Sequence, residues 1–358
     1  MNPVRSRGRT PQSINMKTKK TPPHINTIST SHDGRPRPAS NGMKAVKIGD
    51  RLVGENQPIW IVAEIGINHN GDIEIAKKLI DEAVRIGCDA VKFQKRTVDI
   101  VYTTEELAKP RTVDSQILLK AIRRGVLPKE SVKRLKNSDF EDSTNGDLKH
   151  ALEFTALEYK EIDRYAKEKG IIWFASCWDE GAVDFMEQFD PPAYKIASAS
   201  LTDAGLLKHK RSTGRPLILS TGMSDMDMIK KAVKTLGKDD LILMHAVSTY
   251  PAAPEDLNLS AIVTLKKEFG LPVGYSGHEA GMSPAFAAVV LGACVVERHI
   301  TLDRAMWGTD QAASLEINGF RQLIDMIRKW EKSKGDGKKR VLPSEEPVMK
   351  KLRRKHTI

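Results

Sequence analysis

Residues 273–316 read VGYSGHEAGMSPAFAAVVLGACVVERHITLDRAMWGTDQAASLE and contain two histidines, His278 and His299, each at the end of a short apolar run. These runs, residues 273–275 and 293–297, have the composition of buried strands, and the small apolar residues between them predict a helix. A strand–helix–strand unit joins two parallel strands, whose carboxyl ends meet at one edge of a sheet. We therefore expect the two imidazoles to lie close together.

Two converging imidazoles can hold a divalent metal ion. A single histidine at a strand end is more often a hydrogen-bonded core residue, so the prediction depends on the pair and on Asp303 and Asp310, which follow it. Imidazoles with few carboxylates favour Mn2+, or a similar borderline ion such as Co2+, over Ca2+. Mg2+ held mainly through water remains an alternative.

The same alternation of strand and helix runs through most of the chain. Eight runs that are apolar throughout, separated by helical patterns, indicate a parallel sheet covered on its outer face. The closed form of such a sheet is a (β/α)8 TIM barrel of the α/β class. The predicted strands are residues 59–65, 90–94, 171–175, 193–196, 217–219, 241–244, 273–275 and 293–297.

The charge distribution divides the 358-residue chain, whose net charge is +11, into three parts. Residues 1–43 hold eight Lys or Arg against one Asp, and residues 333–358 hold nine against three acids, so the middle is mildly acidic. We predict a disordered basic extension (1–43), a barrel (44–332) with an insertion over its mouth (96–149), and a solvated basic tail. A nucleic-acid partner for the two ends is the weaker alternative.

The cysteines and the longest apolar run indicate a cytoplasmic protein with no membrane partner. Cys88, Cys177 and Cys294 are an odd number without CxxC spacing, which argues against a disulfide framework or a structural zinc site. The longest apolar run, residues 285–296, is well short of the roughly 20 residues of a spanning helix.

Polar residues that follow the strands of such a barrel gather at one face. Lys92 and Lys195 lie inside apolar runs, where an unpaired ammonium group would be costly. An acidic ligand is favoured as their partner over an internal Asp or Glu, and a Schiff base on Lys195 is a further alternative. Lysines and hydroxyls suit a phosphate or carboxylate. The strand-end residues are Glu64, Lys92, Gln94, Ser176, Lys195, Ser198, Ser220, His245, Ser248, Tyr250, Ser276, His278, Glu297 and His299.

Seven motifs appear in order along the chain: AEIGINHNGD (63–72), VKFQ (91–94), YKIAS (194–198), LSTGM (219–223), YSGH (275–278), VERH (296–299) and WGTDQAASLE (307–316). In these motifs the chain resembles the N-acetylneuraminate (sialic acid) synthase family, from about Lys47 to Trp330.

The resemblance implies a carbon–carbon bond-forming transferase. Members of that family use a (β/α)8 barrel to condense phosphoenolpyruvate with an N-acetylated amino sugar, typically N-acetylmannosamine, which gives a nonulosonic acid and phosphate. It implies a divalent metal, commonly Mn2+ or Mg2+, on His278 and His299. It assigns the binding of phosphoenolpyruvate to Lys92, Ser176, Lys195, Ser198, Ser220 and Ser276. Ser248 stands in the same site where some members have Asn. The residues that would face the sugar and the reacting atoms are Glu64, Gln94, Glu297 and Asp310.

This sequence also departs from the family's pattern. The usual member continues past the barrel into a small antifreeze-like domain, from which a partner subunit donates an arginine to the N-acetyl group. This sequence ends at Ile358. A different acceptor, such as a diacetamido hexose leading to legionaminic or pseudaminic acid, and the formation of a homodimer therefore stay open. The alternative activities are another phosphoenolpyruvate-using 3-deoxy-ulosonic acid synthase and a Schiff-base aldolase acting through Lys195.

Overall fold

Eight parallel strands close into a barrel in the computed structural model, which describes residues 45–354. The disordered extension predicted for residues 1–43 lies outside that range. The sheet closes because β10 pairs with both β9 and β3, which confirms the predicted (β/α)8 fold. The strands are β1 (Val46–Ile48), β2 (Arg51–Val53), β3 (Trp60–Gly66), β4 (Ala90–Lys95), β5 (Ile172–Cys177), β6 (Tyr194–Ile196), β7 (Leu217–Ser220), β8 (Leu241–Ala246), β9 (Val273–Gly277), β10 (Val295–Thr301) and β11 (Leu315–Glu316).

Helices cover the outside of the barrel, and their ends follow local capping rules. Asp72, Asp203 and Asp225 each accept a hydrogen bond from a backbone N–H of the first turn, and Gly87 and Gly170 end their helices in the left-handed conformation. None of the helices between residues 45 and 354 is both long and apolar enough to cross a bilayer. The helices are α1 (Ile73–Ile86), α2 (Val98–Val101), α3 (Thr104–Ala108), α4 (Ser115–Arg124), α5 (Lys129–Asn137), α6 (Asn145–Leu152), α7 (Ala156–Lys169), α8 (Glu180–Glu187), α9 (Ala204–Ser212), α10 (Met226–Leu236), α11 (Ala261–Phe269), α12 (Ser283–Val290), α13 (Ile317–Ser333) and α14 (Glu346–Leu352).

The barrel interior is apolar at one end and polar at the other. Near the amino ends of the strands, Phe174, Ile218 and Ile242 fill the interior. The antiparallel hairpin of β1 and β2 covers this end, with Val46 and Ile48 buried in the same cluster. Polar side chains are therefore confined to the carboxyl ends of the strands, where loops rather than a hairpin surround them.

The segment between β4 and α7 folds into the five short helices α2–α6 around an apolar cluster of its own. Leu118, Leu135 and Leu148 are at the centre of this cluster. Ile67, in the loop after β3, and Trp307, in the loop after β10, pack against it. The segment thus lies beside the carboxyl ends of the strands, the end that carries the polar residues.

A buried ion pair joins the segments that carry the two histidines. Arg298 is 0% and Glu279 1% exposed. Arg298 Nη1 donates to Glu279 Oε1 at 2.7 Å, and Nη2 donates to the Glu279 carbonyl at 2.6 Å. The Tyr275 hydroxyl donates to the other carboxylate oxygen at 2.8 Å. Since Glu279 follows His278 and Arg298 precedes His299, the pair fixes one histidine relative to the other.

Replacing Arg298 with methionine should destabilise the fold by about 3–5 kcal/mol, because Glu279 would stay buried without a cation. Denaturant titration of both proteins measures this difference. Arg321→Met, at an exposed position of α13, is the matched control and should change the free energy of unfolding by less than about 0.5 kcal/mol. An equally small change in Arg298→Met would contradict a stabilising role for the ion pair.

His69 should make the fold sensitive to acid. Its ring stacks on Phe154 with centroids 4.1 Å apart, and its Nδ1 accepts a hydrogen bond from the Gly71 N–H at 3.0 Å. Burial lowers the pKa of His69 from 6.5 to about 3. Between pH 6.5 and about pH 3 the unfolded chain binds a proton at His69 that the native protein does not bind. With respect to this residue, the free energy of unfolding is therefore highest above pH 6.5 and declines as the pH falls through this range.

Compared with His69→Gln, the wild-type protein should lose about 1.4 kcal/mol more unfolding free energy for each pH unit between roughly pH 6 and pH 4. Denaturant titrations at several pH values measure the two slopes. Parallel curves for the two proteins would rule out His69 as the group responsible.

Candidate functional site

A cavity of about 200 Å³ opens at the carboxyl ends of the barrel strands. All residues that the family resemblance assigns to the site line it except Asp310, and His245 and Asp303, which the sequence also singled out, are not part of its lining. The lining residues come from every barrel strand or from the loop that follows it, which is why residues far apart in the sequence meet here. The lining residues are Glu64, Lys92, Gln94, Ser176, Trp178, Lys195, Ala197, Ser198, Ala199, Ser220, Met223, Ser248, Tyr250, Ser276, His278, Glu297 and His299.

Four buried charges form the floor of the cavity. Lys92 Nζ lies 2.7 Å from Glu64 Oε2 and 3.6 Å from Glu297 Oε1. Lys195 Nζ donates to Glu297 Oε1 at 2.7 Å. An internal acid was the less favoured prediction for the lysines, yet both have internal carboxylate partners in the structure.

The two carboxylates of this cluster differ in their proton affinity. Burial raises the pKa of Glu64, with a further contribution from the negative charge of Glu297, and Lys92 only partly opposes this. Burial also disfavours the charged form of Glu297, but Lys195 and Lys92 together outweigh it and lower its pKa. Glu297 is therefore the permanent counter-ion of the lysines, whereas Glu64 is the carboxylate suited to exchanging a proton.

A glycine brings Glu64 close to its neighbours. Gly66 has a φ of 54°, and the pairing register between β3 and β4 shifts between Glu64 and Gly66. A Cβ atom at Gly66 would lie 3.0 Å from Glu64 Oε1, 3.2 Å from His299 Cε1 and 3.3 Å from Gln94 Nε2. Gln94 Nε2 donates to Glu64 Oε1 at 3.1 Å. The bend at Gly66 leaves no room for a side chain and brings a carboxylate, an amide and an imidazole together.

Serine hydroxyls lie around the two lysines in the cavity. Ser176 Oγ accepts a hydrogen bond from Lys92 Nζ at 3.0 Å, and Ser276 Oγ donates to Glu297 Oε1 at 3.0 Å. The Gly222 N–H donates to Ser198 Oγ at 3.0 Å. Two ammonium groups with several hydroxyls can bind the oxygens of a phosphate or carboxylate.

His278 and His299 lie side by side, with ring centroids 5.7 Å apart. The His278 Nδ1–H donates to the Val247 carbonyl at 2.6 Å, and the Tyr250 hydroxyl lies 3.0 Å from Nε2. Burial lowers the pKa of both histidines from 6.5 to about 3. Both rings are therefore neutral at physiological pH, the state in which imidazole binds metals.

Two observations fit these histidines to two ligand positions of a divalent metal. In metal-binding histidines, a hydrogen bond from one ring nitrogen to a carbonyl orients the ring so that the other nitrogen can bind the metal. His278 makes such a hydrogen bond to the Val247 carbonyl. The Nδ1 atom of His299 is buried without a hydrogen bond, and Asp310 Oδ2 lies 3.9 Å from it. In the part of the chain that the structure describes, no group of three or more His, Cys, Asp or Glu side chains could hold a metal ion, so water or substrate would supply the remaining ligands.

Asp310 lies outside the cavity wall, in the loop that follows β10. This loop is held by Asn68, whose Nδ2 donates to the Ile300 carbonyl at 2.9 Å and to Ser314 Oγ at 2.8 Å. Ser314 Oγ in turn donates to the Asp310 carbonyl at 2.6 Å. The carboxylate is thus beside His299 but does not contact the lysine cluster.

Five residues of the cavity wall had no role predicted from the sequence: Trp178, Ala197, Ala199, Met223 and Tyr250. Tyr250 was noted as a strand-end residue, and its ring stands 4.1 Å from that of His278, between centroids. Trp178 and Met223 follow β5 and β7, and Met223 has a φ of 57°, which is uncommon outside glycine. Trp178 follows β5 directly and Met223 is the last residue of the LSTGM motif, and these positions were the signals available for them.

Comparisons with known proteins agree with this geometry. Residues 79–339 match the NeuB family. The chain is 37% identical to human N-acetylneuraminate-9-phosphate synthase, over 84% of this chain and 78% of that protein. It is 34% identical to the N,N'-diacetyllegionaminic acid synthase of Legionella pneumophila, over 85% of this chain and 81% of that protein.

A solved structure shows the same fold. The crystal structure of N-acetylneuraminic acid synthetase from Leptospira borgpetersenii, in complex with citrate, has a TM-score of 0.67 and 30% identity, over 87% of this chain and 99% of that one. On these matches and on the barrel and cavity described above, the chain belongs to the NeuB family and is a carbon–carbon bond-forming transferase of the sialic acid synthase type.

Proposed function

We propose that the protein condenses phosphoenolpyruvate with an N-acetylated amino sugar, in a metal-dependent reaction that gives a nonulosonic acid and phosphate. One observation carries the proposal: a single cavity holds two lysines with hydroxyl groups and also two neutral, neighbouring histidines. The first group suits an anionic donor, and the second suits a cation that can activate a carbonyl oxygen.

Lys92 and Lys195 would bind the phosphate and carboxylate of the donor. Both residues lie at the bottom of the cavity, where they are 3% and 2% exposed. Removal of water strengthens their attraction for an anion. Glu297 favours the charged form of both lysines, although burial still lowers the pKa of Lys195. A proton taken up by Glu64 would leave the cluster with an excess of positive charge for the donor.

The reaction forms one carbon–carbon bond and breaks one carbon–oxygen bond. Carbon 3 of the enol phosphate attacks the aldehyde carbon of the open-chain sugar, whose oxygen takes up a proton. A water molecule adds to carbon 2 and loses a proton, and the bond from carbon 2 to the phosphate oxygen then breaks. Glu64 would accept or return a proton, and its position beside Gln94 at the edge of the lysine cluster supports this role.

His278 and His299 would hold the metal, with Mn2+ as the expected ion and Mg2+ or Co2+ as alternatives. The metal would act as a Lewis acid toward the aldehyde. The protein's own contribution is to keep both rings neutral by burial and to fix the ring of His278 through the Val247 carbonyl. Tyr250 would have to release Nε2 of His278 when that atom binds the ion.

The acceptor is expected to be N-acetylmannosamine, its 6-phosphate or a diacetamido hexose. Support comes from the relatives' names, which specify N-acetylneuraminate 9-phosphate, diacetyllegionaminic acid and pseudaminic acid as products. Asp310 and Gln94, on the side of the histidines, would face this sugar.

Incubation with phosphoenolpyruvate, Mn2+ and a panel of these sugars should release phosphate with one acceptor class, and mass spectrometry identifies the product. His278→Ala should lower the rate by more than about a hundredfold, because the metal loses a ligand. His209→Ala, at a histidine of α9 outside the cavity, is the matched control. Borohydride trapping of pyruvate on Lys195, with full activity in chelator, would instead support a Schiff-base aldolase.

Gly222→Ala should weaken phosphoenolpyruvate binding by at least about tenfold, or 1.4 kcal/mol. An added Cβ would overlap Ser248 Oγ and lie 2.8 Å from Ser198 Oγ, so both hydroxyls would have to move. Titration calorimetry without acceptor measures the dissociation constant. Gly319→Ala, whose Cβ would meet nothing closer than 3.9 Å, should bind the donor as the wild type does. Unchanged binding in Gly222→Ala would exclude these hydroxyls from the donor site.

A further inference from the structure

Lys210 is a fully buried lysine that lies outside the cavity, in the layer between the barrel and its helices. It is on α9 beside the buried residues Leu206 and Leu207, with 0% of its surface exposed. Its Nζ donates to the Cys177 carbonyl at 2.6 Å and to the Lys195 carbonyl at 3.1 Å. These carbonyls belong to the carboxyl ends of β5 and β6.

The positive charge of Lys210 carries a desolvation penalty because the residue is fully buried. Burial lowers its pKa from 10.5 to about 8, and Asp203 and Asp179 oppose this only at a distance. Among residues 45–354, no carboxylate forms an ion pair with it, so the two backbone carbonyls are its direct partners. An apolar side chain of similar length would fill the same volume without the desolvation penalty.

The two strands that Lys210 joins have the shortest pairing in the barrel. The register between β5 and β6 pairs only Ser176 with Lys195. By contrast, β4 and β5 pair from Ala90 and Ile172 through Lys95 and Cys177. The ammonium group of Lys210 therefore bridges β5 and β6 beside the one residue pair that holds them together.

That pair consists of two residues that face the cavity. Ser176 Oγ accepts a hydrogen bond from Lys92, and Lys195 Nζ donates to Glu297. Cys177, whose carbonyl Lys210 binds, directly follows Ser176. A shift of about 1 Å at a binding group can cost a hundredfold in function, so the spacing of these strand ends matters for any ligand bound between the two side chains.

We propose that Lys210 is a positioning residue, which bridges the ends of β5 and β6 from behind and thereby fixes Ser176 and Lys195 in the geometry that binds the anionic donor. The inference depends on the proposed function for the identity of that donor. Lys210 touches neither the donor nor the acceptor, and its effect on them passes through the two backbone carbonyls.

The test compares Lys210→Met with Lys208→Met, which changes an exposed lysine of the same helix. Calorimetry measures the dissociation constant of phosphoenolpyruvate, kinetics measure KM for both substrates and kcat, and heating measures Tm. Lys210→Met should raise the dissociation constant and KM of the donor by about tenfold or more and leave KM of the acceptor within about twofold. Lys208→Met should match the wild type.

A lower Tm with unchanged donor binding would show a role in stability alone and overturn the proposal. Lys210→Gln keeps a neutral donor and should give an intermediate constant. If Lys210→Met does not fold, this second variant decides, and wild-type donor binding in it would again overturn the proposal.

Hydrogen exchange separates failure of this inference from failure of the proposed function. If the wild-type protein binds no phosphoenolpyruvate, the proposed donor is wrong. In that case faster amide exchange at residues 172–178 and 194–198 in Lys210→Met, but not in Lys208→Met, would still support the bridge between the strands. Unchanged exchange at these residues would overturn it.

Discussion

The structure depends on the constraint that charge inside a barrel must be neutralised. Lys92, Lys195, Glu64 and Glu297 come from four strands and meet in a space that water barely reaches. Removing any one of them leaves a buried charge without its counter-ion, which costs several kcal/mol. The cluster therefore joins opposite walls of the barrel, and it contains the two lysines that we propose bind an anion.

Further polar contacts outside the barrel wall support this cluster. The ion pair of Arg298 with Glu279 lies between β9 and β10, and Lys210 lies behind β5 and β6. Arg298 precedes His299 in β10, and Lys210 contacts the carbonyls of Cys177 and Lys195. Both groups thus lie next to residues of the site, whereas the cluster of buried residues described at the opposite end of the barrel is apolar.

The sequence predicted the barrel and almost all of the cavity wall because both follow from periodicity. Strands that are apolar throughout, alternating with helices, leave a closed parallel sheet as the simple solution, and polar residues such as Ser176 or His299 then fall at its carboxyl edge. The partners of Lys92 and Lys195 could not be predicted in this way, because Lys195 meets Glu297 across the barrel and that distance exists only after closure. Lys210 lies in the run KHKRS and has the local appearance of a surface residue; its burial depends on which side of α9 faces the strands.

The hairpin of β1 and β2 closes the amino end of the barrel, so the interior opens only at the carboxyl ends of the strands. The ammonium groups of Lys92 and Lys195 can therefore be reached only from that end of the barrel. The proposed donor, bound at that depth, would have to enter before the larger sugar covers it. The hairpin, remote from the reacting groups, would thereby impose an ordered reaction in which the donor binds first.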